Sequence, residues 1–266
     1  MKPAPFDYAS PRSLEEALRL LGDESKALAG GQSLVPLLNF RLARPSLLVD
    51  LGRVPGLSYL RKSGGRLHIG ALTRQATLER SGLVRQHWPL LAEAVRHAGH
   101  PQTRSRGTVG GSAAHADPAA ELPVALTALG ARFQLRSPRG QRSLTADEFF
   151  VGALTSAVEP DELLVEIELP PLPDRARTAF TEYARTHGDF AIAGAAVVRT
   201  PGDGSAISLL GAGPTPLRAR EAERALDSGA TAREAAELAA GAVRGDDHRR
   251  ALTAALVHEA IERAAP

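Results

Sequence analysis

The sequence predicts an α+β protein of two domains. Three observations carry that prediction. Two glycine pairs, Gly30-Gly31 and Gly110-Gly111, each lead into an apolar helical pattern. The segment Pro170-Pro-Leu-Pro-Asp-Arg-Ala176 can continue neither helix nor strand. Beyond it, three strand-like runs precede an alanine-rich helical remainder. A length of 266 residues also favours two domains over one compact layer.

Ser13-Leu-Glu-Glu16 has the form of a capping box, and Leu14, Ala17, Leu18 and Leu21 share one helical face before Gly22. Residues 26–29 read as a short strand running into Gly30-Gly31-Gln32-Ser33. Ser33 suits an N-cap, and Pro36 falls in the first turn of the following helix, where its missing N–H costs little. Residues 47–50 read as a buried strand, and residues 57–60 with 66–70 as a hairpin turning at Ser63-Gly64-Gly65. Helices are predicted over 73–78 and over 89–95, the second stopped by Gly99 and Pro101.

The stretch 103–123 places Thr108 and Ser112 on either side of Gly110-Gly111, and Ala119, Leu122, Ala125, Leu126 and Leu129 follow at helical spacing. Residues 132–136 and 141–144 form a second hairpin, and residues 162–169 alternate as a half-buried strand. After the proline segment come strands over 178–183, 191–198 and 206–210. Helices over 221–226, 233–242 and 248–263 close the chain, the last capped by Asp246.

A hydrophobic content of 43% with 23% charged residues is ordinary for a soluble globular protein. The N-terminal residues lack an apolar core of signal-peptide length, and no run is apolar enough to span a bilayer, so a cytoplasmic protein is expected. The absence of cysteine excludes disulfides, thiolate nucleophiles and cysteine-ligated zinc or iron–sulfur clusters on this chain. Redox chemistry here requires a bound organic cofactor. All but three of the 32 basic residues are arginine, yet they are interspersed with acids to a net charge of only +2, as in Arg218-Ala-Arg-Glu-Ala-Glu-Arg224. That is the pattern of solvated helix faces rather than of a nucleic-acid surface.

The two glycine pairs read as similar sites. Glycine leaves backbone N–H groups open to an anion, and the helix start behind it adds partial positive charge. Neither pair has the spacing of a Walker loop or a Rossmann fingerprint, so a diphosphate held between two separate glycine turns is the arrangement that fits. His115-Ala-Asp117 and Asp246-Asp-His248 supply too few ligands for a metal centre, and no catalytic triad is assigned.

Four segments together resemble the FAD-binding medium subunit of molybdenum hydroxylases, the group of carbon monoxide dehydrogenase, xanthine dehydrogenase and aldehyde oxidoreductases. They are Ala29-Gly-Gly-Gln-Ser-Leu34, Arg104-Ser-Arg-Gly-Thr-Val-Gly-Gly-Ser112, His115-Ala-Asp-Pro-Ala-Ala-Glu-Leu-Pro123 and Gly188-Asp-Phe-Ala-Ile-Ala193. The resemblance covers essentially the whole chain in order. It implies an FAD-binding domain of two α/β subdomains over 1–172, split near 55. A C-terminal domain over 173–266, with a three-stranded antiparallel sheet and a helix bundle, completes the implied fold.

The resemblance further implies that Ala29, Gly30, Gly31, Gln32, Ser33 and Leu34, with Thr108, Val109, Gly110, Gly111 and Ser112, grip the FAD diphosphate. It implies that Glu121 accepts hydrogen bonds from FAD hydroxyls, with His115 and Asp117 beside it in the same motif. Phe190 falls where the family places a bulky residue over the isoalloxazine. Gln32 replaces a histidine found in some members, and Ser112 stands where asparagine is frequent; both still donate and accept hydrogen bonds.

The implied partners are a large molybdenum-binding subunit and a small subunit carrying [2Fe-2S] clusters, in a dimer of heterotrimers. Electrons then pass through the clusters to FAD and on to NAD, oxygen or a quinone. Two alternatives stand beside this reading. One is a stand-alone FAD-dependent reductase of related fold, and the other a cofactor-free, arginine-rich interaction module.

Overall fold

The computed structural model describes residues 2–265. The chain opens with β1 (Asp7–Ala9), α1 (Leu14–Leu20), β2 (Ser25–Leu28), α2 (Leu34–Asn39) and β3 (Leu47–Asp50), whose strands form a parallel sheet in the order β1-β3-β2. The edge strand β1 has no sequence signal, since its three residues are largely exposed. Ser13 caps α1 by accepting the Glu16 N–H, while Glu16 reaches back to the Arg12 N–H rather than to the cap itself. A small core of Ala17, Leu18, Val49, Leu51, Val54 and Leu57 holds this unit together.

The middle of the chain begins with the hairpin β4 (Leu60–Ser63) and β5 (Arg66–Gly70). Six helices follow: α3 (Gln75–Arg80), α4 (Gly82–His87), α5 (Pro89–His97), α6 (Pro101–Arg106), α7 (Val109–His115) and α8 (Glu121–Ala128). Then come β6 (Arg132–Ser137), β7 (Gly140–Thr145), α9 (Ala146–Phe149), the short hairpin β8 (Phe150–Gly152) and β9 (Thr155–Ser156), and β10 (Leu163–Leu169). An antiparallel sheet in the order β4-β5-β10-β6-β7 results. The two-residue alternation of a strand explains its two faces. Leu67, Ile69, Phe133, Leu135, Ile167 and Leu169 are fully buried against the helices, whereas His68, Glu166 and Glu168 point away from that core.

Two predicted boundaries in this region are corrected. Thr73 does not start a helix. Its hydroxyl bonds the N–H and C=O of Tyr59, and α3 begins two residues later. Pro101 is not a stop signal but the first residue of α6, a position where proline's fixed φ and missing N–H are tolerated.

The last third contains β11 (Arg177–Tyr183), β12 (Ala193–Thr200), β13 (Gly204–Leu210) and β14 (Leu217–Arg218), an antiparallel meander in chain order. Then follow α10 (Arg220–Asp227), α11 (Ala232–Gly241) and α12 (Asp247–Arg263). The three predicted strands are present, and the two-residue β14 extends them to four. Asp246 caps α12 through the Arg249 N–H, as predicted. One face of the meander, including Ala195, Val197, Ile207 and Leu209, packs on the three helices. From the other face, Phe180, Ala196, Val198 and Leu210 enter the same core as the five-stranded sheet, so buried apolar contact continues across residue 172. Among the described residues no helix is long and apolar enough to cross a membrane.

Candidate functional site

A cleft of about 800 Å³ runs between the first unit and the rest of the chain. Among the stretches of sequence that line it are the turn after β2, the start of α7, the loop leading into α8, residues 154–164, and the loop residues Gly188, Asp189 and Phe190. Every predicted site residue lies on this cleft except Val109, which is buried in the main core.

The turn after β2 is the open jaw. Among the described residues, the N–H groups of Gly30, Gly31, Gln32 and Ser33 donate to no protein acceptor. Unpaired backbone donors in succession form a concave anion receptor. Ser33 does not cap α2: its backbone is already helical and its side chain makes no capping bond, which leaves the hydroxyl available to a ligand. Gly31 has φ of +74°, a conformation that favours glycine. At Gly30 a Cβ would lie 2.4 Å from the Arg106 carbonyl oxygen and 2.9 Å from Gly107 Cα. Gly30 is therefore a point of close approach between the two glycine segments.

The second glycine pair works differently, and its predicted equivalence to the first is corrected. Gly110 and Gly111 lie inside α7, and the donors here are already used. The Val109 N–H donates to Thr73, the Gly110 N–H to the Ala71 carbonyl at 2.9 Å, and the Gly111 N–H to Thr108 Oγ1 at 3.0 Å. These glycines serve packing. A Cβ on Gly110 would sit 2.7 Å from both Cα and O of Ala71. What α7 offers the cleft is hydroxyl chemistry: Thr108 Oγ1 accepts from Gly111 and keeps its own proton to donate, and Ser112 lines the wall. Gly110→Ala is accordingly expected to lower stability by about 1–3 kcal/mol, read as a fall in Tm, because the clash is with backbone that cannot swing aside.

Glu121 stands at the start of α8, 7% exposed, and faces the cleft. Burial, reinforced by the nearby charges of Glu182 and Asp117, pushes its carboxyl up to about 7, against the lowering influence of its own backbone N–H and, more weakly, of His97. His97 Nδ1 lies 3.2 Å from Glu182 Oε1, and this bond raises the imidazole above its ordinary value. Neither Glu182 nor His97 is signalled by the sequence, since the pair forms only when β11 packs on α5. Asp117 has a structural task as well, its Oδ1 accepting the Ala119 N–H at 2.8 Å to shape the turn into α8. Phe190 is 74% exposed at the rim.

The sequence also misses the cleft wall at residues 154–156. Here the Leu154 N–H bonds the Ala116 carbonyl and the Ser156 hydroxyl bonds that of Ala114, docking the β8–β9 hairpin on the end of α7. A separate trio, His68, Glu166 and Glu168, meets through cross-strand register on the polar face of the five-stranded sheet. Tyr59 and Arg66 already hold its carboxylates, and none of the three lines the cleft.

Residues 4–172 match the family model described as the FAD binding domain in molybdopterin dehydrogenase. The chain is 50% identical over 256 residues to the 6-hydroxypseudooxynicotine dehydrogenase complex subunit alpha of Paenarthrobacter nicotinovorans, covering 93% of this chain and 86% of that one. It is 40% identical over 284 residues to the caffeine dehydrogenase subunit beta of Pseudomonas sp. (strain CBB1), covering 100% and 96%. A chain of carbon monoxide dehydrogenase from Hydrogenophaga pseudoflava superposes with a TM-score of 0.93 at 38% identity, covering 99% of this chain and 98% of that one. Backbone donors, hydroxyls and a buried carboxylate around one elongated cleft thus coincide with a match in sequence and in fold, and the chain belongs to the family of FAD-binding medium subunits of molybdopterin dehydrogenases.

Proposed function

We propose that this chain holds FAD in the cleft and passes electrons from [2Fe-2S] clusters on a small partner subunit to NAD, oxygen or a quinone. A large partner subunit carrying the molybdenum cofactor oxidises the substrate, and three such chains form a heterotrimer that pairs into a dimer in the cytoplasm. The observation that carries the reading is the run of unpartnered N–H groups at Gly30, Gly31, Gln32 and Ser33, which suits a diphosphate without a lysine. Thr108 and Ser112 add hydroxyl donors, the Glu121 carboxylate suits ribityl or ribose hydroxyls, and the bare ring of Phe190 suits a stacked isoalloxazine. Bound FAD supplies the electron-transfer chemistry, and the chain supplies binding and orientation.

We assign residues 1–172, split near 55, to the flavin-binding domain and 173–266 to a domain that contributes Phe190 to the rim. Phe190→Ala is expected to weaken FAD binding about two- to twelvefold, from the loss of roughly 0.5–1.5 kcal/mol of stacking, with little change in Tm. Flavin fluorescence titration measures it. Purification of the endogenous complex, with metal analysis and peptide identification, tests the assembly: molybdenum, iron and two further chains are expected. Full turnover of substrate by this chain alone would refute it.

A further inference from the structure

Among the described residues Arg104 is the only buried arginine, 6% exposed on α6, and the diphosphate does not need it. Glu79 of α3 holds one side of its guanidinium, with Nε donating to Oε2 at 2.9 Å and Nη2 to Oε1 at 3.2 Å. The remaining nitrogen, Nη1, donates to two consecutive backbone carbonyls, that of Gly99 at 2.9 Å and that of Ala98 at 3.3 Å. Ala98 and Gly99 line the cleft, whereas Arg104 and Glu79 do not. A trans peptide points its C=O and its N–H in opposite directions. With the Ala98 carbonyl drawn back to Arg104, the N–H of Gly99 in the same peptide turns away from Arg104 to the cleft side. Among the described residues it has no protein acceptor there.

This donor stands at the Phe190 end of the cleft. A Cβ on Gly188, two residues before Phe190, would lie 2.6 Å from the ring of His100, the residue after Gly99. A bare aromatic ring beside a lone N–H suits a flat ring system with an acceptor on its edge. Of the two ends of an isoalloxazine, only the pyrimidine end carries carbonyls.

We propose that Arg104 is a positioning residue of the flavin site. Braced by Glu79, it holds the Ala98–Gly99 peptide so that the Gly99 N–H donates to a carbonyl of the flavin's pyrimidine ring. The inference rests on FAD occupying the cleft with its isoalloxazine on Phe190. Reduction places negative charge on the pyrimidine ring, and a hydrogen bond to a charged acceptor is about twice as strong as one to a neutral acceptor. A fixed N–H therefore favours the reduced flavin and raises its midpoint potential. An arginine that only capped the end of α5 would stabilise the helix and leave the flavin unaffected.

The test is the midpoint potential of FAD reconstituted into the full chain, read by spectroscopic equilibration with a reference dye. Isotope-edited infrared spectra of the bound flavin report its carbonyl stretching bands alongside. Arg104→Lys keeps the charge but has no planar fork to span Glu79 and both carbonyls. It should bind reduced FAD about three- to tenfold more weakly relative to oxidised FAD, a fall of about 15–30 mV, and shift a carbonyl band to higher frequency. Glu79→Asp keeps its charge with a shorter reach, and should move both readouts the same way by less. Both variants preserve the charges of the pair, so the shift reports the held peptide and not the field of the ions; Glu79→Asp decides the matter alone if Arg104→Lys does not fold. An unchanged potential and carbonyl band in a folded, flavin-bound variant reduces Arg104 to a helix cap and overturns the inference while leaving the flavin site intact. No FAD bound by the unsubstituted chain overturns the flavin reading, and the role of Arg104 falls with it.

Discussion

Gly30→Val is expected to abolish FAD binding and to lower the stability of the chain by about 1–3 kcal/mol, with still more if the two glycine segments separate. Two effects combine at this position. The Cβ would stand 2.4 Å from a backbone carbonyl oxygen, closer than any van der Waals contact permits, so the turn after β2 must move away from Arg106 and Gly107. Moving it also redirects the N–H groups of Gly31, Gln32 and Ser33, which follow in sequence and have no other partner to hold them. Gly82→Ala is the matching control. Gly82 opens α4 with nothing within 4 Å of its would-be Cβ, so the variant should keep both its flavin and its Tm. Absorbance of the reconstituted protein and a thermal melt together measure both outcomes.

Trp88→Ala should be the costliest single truncation, at about 3–5 kcal/mol for emptying so large a volume from a packed core. Trp88 is 1% exposed among the residues of the main core, and its indole N–H donates to the Pro170 carbonyl at 2.8 Å. The side chain therefore ties the helical layer to the proline segment that leads into the meander. Trp88→Phe separates the two contributions, since it keeps most of the volume and loses the hydrogen bond, and about 1–2 kcal/mol of stability should go with it. Urea denaturation is the measurement, and the slope should be the same in all three proteins.

Where local chemistry decides the structure, the sequence was readable. The hairpin of β6 and β7 follows from alternation around Pro138 and Arg139, and Asp246 caps α12 as its position before a helical pattern requires. Pro101 was misread because proline is allowed both after one helix and at the start of the next, and only the following residues' packing separates the two. The second glycine pair was misread for a related reason. Glycine signals that something comes close, and at Gly110 that neighbour is the Ala71 backbone, 39 positions earlier in the sequence and beyond the reach of any local pattern. The same holds for His97 and Glu182, which sit on different elements 85 residues apart and become a pair only through tertiary packing. The family pattern ties the residues around the cleft together across distant segments; the glycine pairs alone suggest two anion-binding turns, of which the structure leaves one with open donors.

The most direct test of the account is a crystal structure of the chain with FAD. The diphosphate oxygens are expected to accept from the N–H groups of the Gly30 to Ser33 turn, with Thr108 or Ser112 donating from the opposite wall and Glu121 on a cofactor hydroxyl. A diphosphate bound elsewhere, with those N–H groups still unpartnered, would contradict it.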